Sequence, residues 1–238
     1  MKTTLTTILI ITGIILFTGC VQLSNSHSAI DASIIWDITD SMMVTPKLSE
    51  ITSLYGLDKD IWNGGKFRLL NVTDVSINKI YEASIESENM WLGNKFKRNE
   101  KLKKFYSEID GIISGALKQK IGKDNTSLYI PIAKELNRLS QSTANKKLLL
   151  VYSDLMQNTD DMSFYKNETL SLLRTNPDSV KKYFESQLKL KNLSGIKIYL
   201  VFQPQNMKQD EVYKIVSNFY KAMLESKGAE VEITASIN

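Results

Sequence analysis

Two short polar stretches hold the residues best suited to chemistry in this chain, Asp37-Ile38-Thr39-Asp40-Ser41 and Ser153-Asp154. Each follows directly on an apolar run, and each offers only oxygen donors. Oxygen sets of this kind suit magnesium, a small hard cation that keeps some of its waters, whereas zinc favours Cys and His. The single histidine, His27, and the single cysteine, Cys20, both lie near the N-terminus. No Ser/His/Asp triad is therefore available, and no Gly-rich phosphate loop occurs. Asp, Ser and Thr also satisfy free backbone N–H groups at strand ends and helix caps, so each stretch has a purely structural use as well.

Residues so placed act together only if their strands end side by side. Residues 33–36, 66–72, 80–85, 147–152 and 196–202 read as strands, the last two as short apolar runs suited to burial on both faces. Residues 230–235 alternate apolar and polar, as an edge strand does. Between them, Leu102, Phe105, Ile109, Ile113 and Leu117 recur at helical spacing, as do Val212, Ile215, Val216, Phe219 and Met223. Further helices are expected over about 47–55, 128–139 and 177–190, with Pro177 suited to a first turn. Strands separated by amphipathic helices predict a doubly wound, Rossmann-like α/β fold, with a mainly parallel central sheet and helices on both faces. In such sheets ligands bind beyond the carboxyl ends of the strands, where both polar stretches fall.

The spacing Asp-x-Thr-x-Ser after a first strand, with an Asp after a fourth, resembles the metal-ion-dependent adhesion site of the von Willebrand factor A family. The resemblance covers residues 31–236 and implies a magnesium or manganese site. Asp37 matches the family's first Asp, Thr39 stands where Ser is usual, Ser41 matches the second Ser, and Asp154 matches the late Asp. Thr126 is the best match to the loop Thr; it follows Lys123-Asp124-Asn125 rather than a Gly-rich turn, and Ser127 is the alternative ligand. The resemblance implies hydroxyls of Thr39, Ser41 and Thr126 on the metal, Asp37 and Asp154 balancing charge through water, and an acidic side chain of a protein partner completing the coordination. It implies a binding domain and not an enzyme. The rival is a magnesium-dependent phosphoryl hydrolase of a doubly wound fold, but the haloacid-dehalogenase pattern needs Asp-x-Asp where this chain has Asp37-Ile38-Thr39. A structural domain with a degenerate metal site is the third reading.

The N-terminus differs in kind. Lys2 precedes an apolar run ending in Leu16-Phe17-Thr18-Gly19-Cys20. This is the layout of a signal peptide, short for a spanning helix, and it resembles the bacterial lipobox. The resemblance implies cleavage after Gly19, lipidation of Cys20, and a lipoprotein held on a membrane of the cell envelope, facing the periplasm or the exterior. The expected organisation is a leader over 1–19, a tether over 20–30 containing His27, and one domain over 31–238. A hydrophobic content of 42% against 24% charged residues fits a folded body and argues against disorder. Loss of residues 1–19 removes one Lys and no acid, so 30 basic and 26 acidic groups become 29 and 26, a net charge of +3. So mild a bias supports neither a nucleic-acid binder nor a strong anionic-membrane patch. The run Lys95, Lys97, Arg98, Lys101, Lys103, Lys104 reads as the solvated face of a helix, and Trp62 and Trp91 as core anchors.

Overall fold

The computed structural model describes residues 29–38, 44–72, 79–118 and 126–237. Cys20, His27, Thr39 and Ser41 lie outside the described residues. Six strands form one sheet: β1 (Ala29–Asp37), β2 (Gly64–Val72), β3 (Lys79–Ile85), β4 (Lys146–Tyr152), β5 (Ile196–Val201) and β6 (Glu230–Thr234). Their order is β3-β2-β1-β4-β5-β6. All pairs are parallel except β2 with β3, which six residues separate, too few for a crossover, and which run antiparallel. This is the expected α/β class, with β1 and β4 as the two central strands. β6 is an edge strand, as its alternation requires. β1 starts at Ala29, two residues inside the segment read as tether.

The helices among the described residues are α1 (Leu48–Tyr55), α2 (Lys95–Leu117), α3 (Tyr129–Leu139), α4 (Asn167–Thr175), α5 (Pro177–Gln187) and α6 (Met207–Glu225). Gly56, in the left-handed region at φ 57°, ends α1 with its N–H on Thr52 O, a position where glycine carries no Cβ penalty. α4 was not expected, because its three leucines, Leu170, Leu172 and Leu173, do not repeat long enough to give a periodic signal.

Alternation along β1 divides the core in two. Ile30, Ala32, Ile34 and Trp36 pack with Ile51, Tyr55, Phe105 and Ile109 of α1 and α2. Ile35, with Leu149 and Val151 of β4, packs on the other face against Ile132, Phe184, Val216 and Tyr220 of α3, α5 and α6. On that second face β1 also carries Asp31 and Ser33, both buried. Burial of such groups requires partners, and α3 supplies them. Arg138 donates to both oxygens of Asp31 at 2.7 and 2.8 Å, to Ser33 Oγ at 2.9 Å and to Glu135. Ser33 donates to Glu135 at 2.7 Å, Arg68 of β2 donates to Glu135 at 3.0 Å and pairs with Glu82 of β3, and Ser142 donates to Asp31 at 2.7 Å. Burial alone would raise the Asp31 carboxyl, but the hydrogen bonds of Arg138 and Ser142 and the charges of Arg138 and Lys66 outweigh it and hold it below the usual carboxylate range. The network fixes α3 against the N-terminal half of β1.

Candidate functional site

At the opposite end of the sheet the two central strands finish in polar residues. β1 ends at Asp37, which is 3% exposed, and the pairing runs one step further, from Ile38 N–H to Val72 O at 3.4 Å. β4 ends at Tyr152, whose partner in the register is Trp36. Ser153 follows, fully buried, with its N–H on Val201 O at 3.3 Å. Its hydroxyl donates to Asp37 Oδ2 at 3.0 Å, so the two strand ends are joined through side chains. The Tyr152 hydroxyl donates to Glu50 of α1 at 2.9 Å. Burial and the nearby Glu50 push that phenol far above its ordinary value, so it remains a donor.

The segment after Ser153 is a tight turn built on side-chain oxygens. Ser153 Oγ accepts the Leu155 N–H and Asp154 Oδ1 accepts the Met156 N–H, both at 2.9 Å. Leu155 lies at φ 62°. That region is unfavourable for a branched side chain, and such residues persist only where their surroundings enforce them. Here Leu155 is fully buried in the core while its N–H is held by Ser153.

Thr126 reaches the same neighbourhood through backbone pairing. Its N–H and C=O bond Asn158 at 2.9 and 2.8 Å, so the segment that follows β4 and the residues leading into α3 form a short bridge. Gln157, fully buried, accepts the N–H of Tyr129 at the start of α3. Thr126 and Ser127 are both buried, at 5% and 4% exposure, and both remain candidates for the loop hydroxyl. Asp154 lines a cavity of about 380 Å³ with Tyr165, Phe202, Lys208 and Tyr213. Burial, and then the charge of Asp154, push the Tyr213 phenol well above its usual range.

Of the five residues expected to form a metal site, the structure thus sets Asp37 and Asp154 on adjoining strand ends and ties Thr126 to the segment that follows Asp154. Thr39 and Ser41 lie outside the described residues. The sequence singles out Ser153-Asp154 as a pair but assigns a role to Asp154 alone, whereas the structure puts the Ser153 hydroxyl on Asp37. Among the described residues no three His, Cys, Asp or Glu side chains converge to hold a metal. A cation here would have to rely on hydroxyls beside two carboxylates, an oxygen-only donor set suited to magnesium or manganese. No protein-family model matches the chain, and no curated protein matches its sequence.

Proposed function

We propose that this chain is a membrane-anchored, metal-dependent protein-binding domain of the bacterial cell envelope, of the von Willebrand factor A type. The observation that carries the reading is the meeting of Asp37 and Ser153-Asp154 at the carboxyl ends of the two central strands, joined by the bond from Ser153 to Asp37. Ligands of open parallel sheets are held at such a crevice. Asp37, Asp154, Thr39, Ser41 and Thr126 or Ser127 would hold magnesium or manganese, and the metal would supply a positive centre for an acidic side chain of the partner. The protein's own part is to hold Asp37 in place through the hydroxyl of Ser153. The anchor would be a lipid on Cys20; among the described residues no helix is long and apolar enough to cross a membrane.

Calorimetric titration of the folded domain with magnesium and with manganese tests the metal. Binding should raise the melting temperature as free metal rises. Asp37→Ala should abolish that response and Asp40→Ala should largely keep it. A flat titration of the wild type, or equal responses from both variants, refutes the reading.

A further inference from the structure

Four of the exposed large apolar side chains among the described residues lie where α2 begins. Trp91 is 80% exposed, Leu92 87%, Phe96 73% and Met90 50%. Trp91, read from the sequence as a core anchor, is therefore a surface residue. Four such side chains fall within seven positions, and exposed apolar groups gathered in this way mark contact sites.

The turn that displays them is firmly built. Asn89 accepts the N–H of Trp91 on its side chain and those of Leu92 and Gly93 on its carbonyl. Gly93 lies so close to the Trp62 ring that a Cβ there would fall 2.2 Å from it. Arg98, expected on the solvated face of its helix, is instead fully buried. Its guanidinium donates to Ile61 O, Asn63 O and Glu86 O at 2.5 to 2.8 Å, clamping the turn before β2 to the loop after β3.

The charges beside this surface are of both signs, with Glu86 and Glu100 exposed and two lysines at the helix start. Lys95 and Lys97 open α2, whose first turn contains no acidic residue. Cations at that helix end oppose its macrodipole, an arrangement that an anionic surface would relieve. Glu88 is already engaged by Lys101 at 2.7 Å and Arg98 at 3.5 Å, while Lys95 and Lys97 form no ion pair among the described residues.

The position of the cluster matters as much as its composition. Ala29, where the described chain begins, pairs with Gly64. Gly64 abuts Ser87, and Glu88 N–H bonds Trp62 O at 2.9 Å. The chain arriving from Cys20 thus enters at the same end of the sheet as Trp91. The nine Cα steps from Cys20 to Ala29 reach at most about 30 Å. Asp37 lies at the far end of β1, about 26 Å away at ~3.3 Å per residue.

We propose that Met90, Trp91, Leu92 and Phe96 form a second membrane contact, entering the interface of an anionic bilayer while Lys95 and Lys97 meet its headgroups. Trp and Leu beside Lys are the side chains such interfaces take up. The contact turns the Asp37 and Asp154 end outward, away from the lipid. The orientation rests on the membrane-anchored reading above; the contact itself rests on the described surface.

All six strands and both core clusters lie within residues 29–237, so a chain beginning at Cys20 keeps the whole fold. Its only thiol, Cys20, can be coupled to a maleimide phospholipid in vesicles of phosphatidylcholine, with or without phosphatidylglycerol. Tethering makes a weak contact measurable through effective concentration. Quenching of tryptophan emission by acyl-chain-brominated lipid, corrected with Trp91→Phe, should be at least about twofold stronger with phosphatidylglycerol. The double variant Leu92→Asn/Phe96→Asn should lose the quenching and keep a cooperative melt. Equal quenching of wild type and double variant overturns the proposal. So does a blue shift of Trp91 that grows with protein concentration in the absence of vesicles, which would assign the surface to a second copy of the chain. Synthetic coupling separates this result from cellular lipidation, so failure of fatty-acid labelling at Cys20 would overturn the anchor and leave the contact standing.

Discussion

The Ser153 hydroxyl and Asp37 Oδ2 lie 3.0 Å apart, a bond between residues 116 positions apart in sequence. One hydroxyl both steadies the β1 carboxylate and accepts the N–H of Leu155, which couples the strand ends to the turn carrying Asp154.

Ser153→Ala should therefore act on stability and on the site together. Removing the hydroxyl leaves the Leu155 N–H without its acceptor, and a buried group so left costs about 1–3 kcal/mol. Urea unfolding should show that loss, and any metal-induced rise in melting temperature should shrink in the same variant. A variant as stable as wild type would remove Ser153 from the account.

Leu155→Gly sets two effects against each other. Relief of the left-handed backbone favours the variant by roughly 1–2 kcal/mol, whereas emptying a fully buried leucine site costs about 3–5 kcal/mol. The cavity wins, and a net destabilisation of about 1–4 kcal/mol is expected from those two ranges in denaturant unfolding.

The Asp31 carboxyl is held below its ordinary value by Arg138 and Ser142 against the opposing effect of burial. A folded-state value below the unfolded one, about 3.9, means a contribution fully present above that pH and lost as pH falls through the folded value. Thermal melts should show a plateau above about pH 5 and a falling limb below about pH 4. Asp31→Asn should flatten that limb and lower stability on the plateau by about 2–3 kcal/mol, less than for a fully buried pair because Arg138 keeps Glu135.

Cys20→Ala should release the protein from membranes or leave its leader uncut. Metabolic labelling with a fatty-acid probe checks this, and a wild type marked no more than the variant would refute the anchor.

The fold was legible where patterns were local. The apolar runs at 147–152 and 196–202 announced β4 and β5, and the polar residues after the first and fourth strands marked the two strand ends that the sheet sets side by side. What the sequence hid was long-range. Asp31 meets Arg138 across 107 residues, and no local pattern links a strand carboxylate to a helix five elements later. Arg98 sits amid lysines of similar spacing, yet helical geometry turns that one position inward, toward the carbonyls of Ile61, Asn63 and Glu86. Trp91 misled in the opposite sense, because a large aromatic ordinarily finds the core and only the turn at Asn89 points it outward. Thr126 came to the strand ends through a backbone bridge to Asn158, a pairing without a side-chain signature.

The place of β1 in the sheet also governs how the chain can assemble. Its partner on one side, β2, follows soon after, but on the other side Ile30 pairs with Lys146, more than a hundred residues later. At ~5–20 residues per second, synthesis of that interval takes roughly 6–23 s. Throughout it an apolar strand edge stands open to mispairing, and closing so long a loop delays the reward of the contact. The first of the six strands to emerge thus waits for the fourth before both its edges are paired, and holding that edge open until β4 arrives is the step at which a chaperone would be needed.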